Sequence, residues 1–188
     1  MLGRLEKSGA LEIAGFRVLI DGDQIQLRIK QLARLIAEDY QERSLHLVGV
    51  MRGAYQFTRD LSSRLTLPHT VDFISVASYG DGAETSGHIV LRQGLAQLIQ
   101  GKDVLVVEDI VDTGLTLGWL IEHLRAQEPR SLRICCLLSK PSRRRVEVPL
   151  DYLGFPIEDL FVIGYGLDYQ EKYRELPFIS CLAPGQAA

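Results

Sequence analysis

The sequence predicts an α/β fold, a twisted and mainly parallel sheet flanked by helices, on three observations. An apolar, β-branched run, Val104-Leu-Val-Val107, stops at Glu108-Asp109-Ile-Val-Asp112 and then Thr113-Gly-Leu-Thr116. That is the pattern of a buried strand, a tight loop and a helix start. A second apolar run, Leu45 to Met51, leads through a short turn into a helical stripe of Phe57, Leu61 and Leu65. A third, Leu132 to Leu138, follows the helical stripe Leu117, Leu120, Ile121 and Leu124. Strands that alternate with helices at this spacing wind into a parallel sheet with helices on its faces.

Taken in order, residues 23–42 read as a helix, with Ile25, Ile29, Leu32, Ile36 and Tyr40 at helical spacing and Asp23 with Gln26 in the form of a capping box. Leu45 to Met51 is then a buried strand and Ala54 to Leu65 a helix, joined by the tight turn Gly49-Val-Met-Arg-Gly-Ala54. Turns at the carboxyl ends of such strands are where open α/β sheets hold ligands. Val71 to Ser78 reads as a strand, and Tyr79-Gly-Asp-Gly-Ala-Glu-Thr-Ser-Gly-His88 after it has almost no apolar anchor, which predicts a mobile loop. Ile89 to Arg92 returns as a strand. Beyond the acidic loop, a helix ends near Pro129 and the strand Leu132 to Leu138 closes at Ser139-Lys140-Pro141. Arg143-Arg144-Arg145 reads as a solvated face or a subunit contact. The segments Tyr152 to Phe155 and Phe161 to Arg174, aromatic and rich in glycine, read as a lid and not as another α/β unit.

Composition bounds the function. A chain of 188 residues, 46% hydrophobic and 24% charged, suits one globular domain over residues 1–188 with a sizeable core. A net charge of −3 offers no basic field for nucleic acid or an acidic membrane surface, so neither is expected as a partner and a small molecule is. With no apolar leader and no run of membrane-spanning length, a cytoplasmic protein is expected. Cys135, Cys136 and Cys181 have neither disulfide-framework nor zinc spacing, and neighbours Cys135 and Cys136 should pack on opposite faces of their strand. The four histidines show no ligand spacing.

The acidic loop carries the chemistry. Glu108, Asp109 and Asp112 fall in one short turn, where their repulsion is a cost unless a cation, a polyol or a basic heterocycle sits among them. Thr113, Gly114 and Thr116 add hydroxyls and a close-approach glycine at a helix start, whose free N–H groups attract an anion. One loop therefore offers acceptors for a sugar diol and donors for a phosphate.

An apolar strand, an acidic pair and then Asp-Thr-Gly-x-Thr resembles the phosphoribosyl pyrophosphate motif of type I phosphoribosyltransferases. The form Val-Glu-Asp-Ile-Val-Asp-Thr-Gly at Val107 to Gly114 is similar to the hypoxanthine-guanine phosphoribosyltransferases of purine salvage. The resemblance runs from about Leu19 to about Leu182. It implies the type I fold with a small hood built from segments near both termini, and transfer of phosphoribose from phosphoribosyl pyrophosphate to N9 of hypoxanthine or guanine, with pyrophosphate released.

Residue by residue, the resemblance implies that Glu108 and Asp109 hold the ribose hydroxyls, that Asp112 faces purine N7 and assists its proton transfer, and that Thr113, Gly114, Leu115 and Thr116 cradle the 5′-phosphate. Arg52 and Gly53 match a pyrophosphate loop that contains a non-proline cis peptide, with Arg52 where relatives carry lysine; Arg174 also meets pyrophosphate. Lys140 reads the oxygen at purine C6, Phe161 stacks on the base, and Val162 and Asp168 border it. Mg²⁺ is implied as cofactor, near Asp168, Glu108 and Asp109. Ser78-Tyr79 matches the opening of a flexible loop that closes over the site, and Leu115 stands where some relatives carry lysine. A homodimer or homotetramer is implied. Two alternatives stay open: a xanthine-preferring phosphoribosyltransferase, and a regulatory RNA-binding homologue, whose aromatic in place of Asp112 this chain lacks.

Overall fold

The computed structural model describes residues 4–5, 11–13, 16–79 and 88–181. In chain order the elements are β1 (Arg4–Leu5), β2 (Leu11–Ile13), β3 (Phe16–Ile20), α1 (Gly22–Asp39), β4 (Leu45–Met51), α2 (Tyr55–Ser62), β5 (His69–Tyr79), β6 (His88–Gln93), β7 (Asp103–Val111), α3 (Leu115–Arg125), β8 (Ser131–Ser139), β9 (Tyr152–Pro156), β10 (Val162–Ile163) and β11 (Ile179–Cys181). A 3₁₀ turn, Pro141–Arg143, follows β8. The main sheet has the order β6-β5-β4-β7-β8-β9, with β5, β4, β7, β8 and β9 parallel and β6 an antiparallel edge. A second, antiparallel sheet, β1-β2-β3-β11-β10, is built from both ends of the chain.

Two-residue alternation divides the core. Leu105 and Val107 pack with Ile25, Ile29 and Phe57 on the face covered by α1 and α2. Val104 and Val106 pack with Leu117, Leu120 and Leu124 on the face covered by α3. Burying one such side chain is worth roughly 1.5–3 kcal/mol, so a strand buried on both faces is fixed firmly. Cys135 joins the first cluster and Cys136 the second, as the alternation predicts. Ile20, Val162 and Ile179 of the terminal sheet also lie in the first cluster, so the same core anchors both sheets.

Register brings the loops to one edge. Gly49 pairs with Val107 and Glu108 with Cys136, while Met51 pairs with Ser75 and Val111 with Ser139. The carboxyl ends of β4, β7 and β8 therefore finish together, with β5 running on past them to Tyr79, where a crevice forms in a sheet of this kind.

Two expectations are corrected here. The helix does not start at 23: α1 begins at Gly22, and the capping box is Asp21 with Gln24. Asp-x-x-Gln occurs twice in Asp21-Gly-Asp-Gln-Ile-Gln26, and the earlier frame frees Gln26 Nε2 to donate to Asp60 Oδ2 at 2.9 Å. Tyr152 to Phe155 is not lid but β9, the last parallel strand. Gly154 lets it lie against β8, since a Cβ there would stand 2.3 Å from the Leu137 carbonyl oxygen. Its free-edge carbonyls are met by Arg28, whose Nε donates to Gly154 O at 3.0 Å and Nη2 to Leu153 O at 2.6 Å. Among the described residues no helix is long and apolar enough to cross a membrane.

Candidate active site

At the carboxyl edge of the main sheet lies a cavity of about 560 Å³. Its acids are Glu108, Asp109, Asp112 and Asp168, and its cations Arg52, Lys140 and Arg174. Gly53, Phe161 and Val162 complete the expected set. A neighbouring cavity of about 220 Å³ shares Glu108 and Asp112 and is walled by Thr113, Gly114 and Thr116. Leu115 lines neither cavity. Its apolar side chain has no business at a phosphate, so only its backbone N–H, 3.4 Å from Thr113 Oγ1, stays with the loop. Ser78 and Tyr79 end β5, paired with Ile89 and His88 of β6. The rest of the predicted mobile loop, residues 80–87, lies outside the described residues.

The acidic loop is held from behind. Gly114 caps α3 with φ +84°, and a Cβ there would meet Val146 O at 2.3 Å. Thr113 O accepts from the backbone N–H of Arg145 at 2.9 Å and of Val146 at 3.0 Å. Arg144 Nη1 donates to Asp112 O at 3.1 Å and Nη2 to Ser139 Oγ at 2.7 Å. The arginine triplet is only partly a solvated face: Arg143 and Arg145 are exposed, but Arg144 buttresses the loop, and Arg143 Nε donates to Asp112 Oδ1 at 3.1 Å. Sequence alone could not show this, because the turn that folds the triplet back is set by Pro141 and by what β7 presents.

Glu108 is buried, and its Oε1 accepts from Asp109 N at 3.1 Å. Burial, and then the neighbouring Asp109, push its carboxyl well above the usual range. Asp109 presses on the 52–53 turn: a Cβ on Gly53 would stand 1.6 Å from Asp109 Oδ2, so any larger residue would force the carboxylate to move. On the other side a Cβ on Gly166 would stand 2.0 Å from Gly53 O. Gly53 is therefore sandwiched between β7 and the segment after β10, and the Met51–Arg52 peptide before it is cis, as the resemblance implies.

The two ends of the cavity differ. At one, Lys140 Nζ is buried, 3.8 Å from Asp112 Oδ2 and 3.6 Å from Asp159 Oδ1. Phe161 is 56% exposed and meets Tyr169 edge-on at 5.7 Å, which leaves an aromatic face for a flat ligand. At the other end Arg174 Nη2 pairs with Asp168 Oδ1 at 2.7 Å, and Arg52 Nη1 with Glu171 Oε2 at 2.6 Å. Asp159 and Glu171 were not anticipated from sequence; each sits in irregular chain where spacing carries no signal.

Hard carboxylate oxygens suit Mg²⁺, which is commonly held by one or two carboxylates together with substrate phosphates. Among the described residues, however, no three acids, histidines or cysteines gather to hold a metal. Glu108, Asp109 and Asp168, the acids that the resemblance places near Mg²⁺, all line the one cavity. Asp168 is committed to Arg174, and Glu108 is buried beside Asp109. The donor chemistry fits an ion that brings ligand oxygens with it.

Comparison with known proteins agrees with this geometry. The family model described as phosphoribosyl transferase domain matches residues 19–170. Hypoxanthine phosphoribosyltransferase of Salmonella typhimurium is 46% identical over 164 residues, covering 86% of this chain and 92% of that protein. Hypoxanthine-guanine phosphoribosyltransferase of Mycobacterium avium is 45% identical over 173 residues, covering 89% and 85%. The crystal structure of a hypoxanthine-guanine phosphoribosyltransferase from Bacillus anthracis, with HEPES in the active site, superposes with a TM-score of 0.85 at 42% identity, covering 88% of this chain and 98% of that one.

Proposed function

Since this chain belongs to the phosphoribosyl transferase family, we propose that it serves purine salvage by transferring phosphoribose from phosphoribosyl pyrophosphate to N9 of hypoxanthine or guanine. The observation that carries the reading is that one cavity brings together a carboxylate pair, a buried lysine beside an exposed aromatic face, and two arginines. Those are the groups that a ribose diol, a 6-oxopurine and a pyrophosphate require.

In this reading Glu108 and Asp109 accept from the ribose hydroxyls, and the smaller cavity at Thr113, Gly114 and Thr116 takes the 5′-phosphate on N–H groups at the start of α3. Lys140 donates to the C6 oxygen and Phe161 stacks on the base, with Val162 and Asp168 at its border. Arg52, Gly53 and Arg174 receive pyrophosphate. The bond from ribose C1 to pyrophosphate oxygen breaks as N9 bonds to C1, and Asp112 accepts the purine proton at N7. Bound Mg²⁺ supplies charge neutralisation on the leaving group. The fixed acids and N–H groups stabilise an oxocarbenium-like centre without reorganising.

In the same reading the terminal sheet serves as the hood of a single domain, which the core cluster it shares with the main sheet supports. Cytoplasmic placement and assembly as a homodimer or homotetramer belong to the same reading, by family likeness. The test is pyrophosphate release from phosphoribosyl pyrophosphate and Mg²⁺ with each purine base in turn. Hypoxanthine and guanine should both give nucleotide, and release with neither would refute the proposal.

A further inference from the structure

Lys140 and Asp112, two of the residues assigned to the base, belong to a closed ring of four charges. Arg143 Nε lies 3.1 Å from Asp112 Oδ1, and Arg143 Nη1 lies 3.6 Å from Asp159 Oδ2. Asp159 Oδ1 lies 3.6 Å from Lys140 Nζ, which lies 3.8 Å from Asp112 Oδ2. Lys140 and Asp112 line the cavity, whereas Arg143 and Asp159 line neither cavity. The ring thus has an inner half that meets ligand and an outer half that does not.

Local structure explains the arrangement. Pro141 opens a 3₁₀ turn in which Arg143 N donates to Lys140 O at 3.2 Å. Lys140 caps the turn and Arg143 ends it, and the hydrogen bond between them sets both side chains within reach of the same two carboxylates. Arg143 takes Oδ1 of Asp112 from outside, which turns Oδ2 toward Lys140 and the cavity. A carboxylate with one oxygen fixed by a guanidinium has its rotation set before the base arrives.

We infer that Arg143 and Asp159 are positioning residues for phosphoribosyl transfer to the base: Arg143 fixes the rotation of Asp112, and Asp159 holds Arg143 and Lys140 in one frame. The inference rests on the proposed roles of Asp112 and Lys140. Misplacing a reacting group by about 1 Å can cost on the order of 100-fold. Loss of Arg143 should act on turnover. It should leave phosphoribosyl pyrophosphate binding nearly as before, because the Arg143 side chain pairs with Asp112 and Asp159 and not with the groups proposed to hold ribose, 5′-phosphate or pyrophosphate.

The experiment is steady-state kinetics with hypoxanthine on Arg143→Met, Arg143→Gln, Arg143→Lys, Asp159→Asn and Asp112→Asn. Arg143→Met and Arg143→Gln should lower kcat by about 10- to 100-fold and leave KM for phosphoribosyl pyrophosphate within about twofold. Arg143→Lys, which keeps a cation within reach of both acids, should recover most of the loss. Asp159→Asn should cost about threefold, as befits a half-exposed pair. Should Arg143→Met fail to fold, Arg143→Gln, which keeps much of the stem, decides. If Asp112→Asn is impaired while Arg143→Gln keeps kcat within twofold, or if KM rises and kcat does not fall, the inference is overturned. If Asp112→Asn is itself fully active, the proposed role of Asp112 fails and the inference with it.

Discussion

Two charge clusters, Lys140 and Arg143 with Asp112 and Asp159, and Arg52 and Arg174 with Asp168 and Glu171, each join two cations to two anions at the cavity, yet they are built differently. At the base end Lys140 is 9% exposed, on the last residue before a 3₁₀ turn that closes a core strand. At the other end Arg52 and Glu171 are 65% and 66% exposed, and Gln170, Glu171 and Tyr173 all have positive φ outside any regular element. Charges set on strand ends are organised before ligand arrives, whereas charges on irregular chain are paired with each other until ligand replaces a partner. The base end should therefore govern rate and specificity, and the pyrophosphate end affinity.

Asp112→Asn should produce the largest loss. General acid–base groups contribute about 10²- to 10⁴-fold, so kcat should fall in that range while phosphoribosyl pyrophosphate, titrated calorimetrically, binds nearly as before. Equal losses in both would erase the division between the ends. Gly53→Ala comes next, because its Cβ would stand 1.6 Å from Asp109 Oδ2. Overpacking of this kind costs roughly 1–3 kcal/mol, to be read as a raised KM for phosphoribosyl pyrophosphate or a lowered melting point. An unperturbed variant would show that the sandwich around Gly53 is loose.

Glu171→Gln should have a small effect of opposite sign. Glu171 Oε2 occupies Arg52 at 2.6 Å and Arg174 at 3.6 Å, so pyrophosphate must displace it. Removing the charge should tighten pyrophosphate binding by about two- to fivefold, as expected of an exposed pair. Weaker binding in the variant would mean that Glu171 helps to hold the ligand.

The acidic pair gives a pH dependence. The carboxyl of Glu108 is raised in the folded protein, chiefly by burial. Its neutral form is therefore favoured by folding, and the stability it allows is fully present below the ordinary glutamate pKa. That stability is lost as pH rises from there through the raised value. Melting of the free protein followed across this window should show the decline, and Glu108→Gln should flatten it; an identical slope in the variant would assign the decline to other groups.

What was legible in the sequence was whatever is local along the chain. The run Val104 to Thr116 holds its strand, acids, glycine and helix start in consecutive residues, and the structure keeps them in that order. The period-two alternation placed Cys135 and Cys136 on opposite faces, and the crevice followed from strand ends that finish together. What was hidden depends on contacts between distant segments. Asp-x-x-Gln in two overlapping frames gave no local reason to choose Asp21 over Asp23. The aromatic, glycine-rich Tyr152 to Pro156 became a strand because Arg28 covers its outer carbonyls and Tyr152 OH donates to Asp39 Oδ2 at 2.6 Å. Arg143 resembled any surface arginine until a 3₁₀ turn brought it to Asp112.

The most direct test of the account is competition between hypoxanthine, guanine and adenine for the wild type and for Lys140→Met. An ammonium has only donors, so it can bond a C6 oxygen but meets another donor in the amino group of adenine. Sites built around one such bond discriminate by up to about 10⁴-fold or more. The account predicts that the wild type forms nucleotide from hypoxanthine and guanine and rejects adenine, and that Lys140→Met loses most of this preference with Phe161 stacking unchanged. Adenine turned over by the wild type as readily as hypoxanthine, or a full preference kept by the variant, would contradict it.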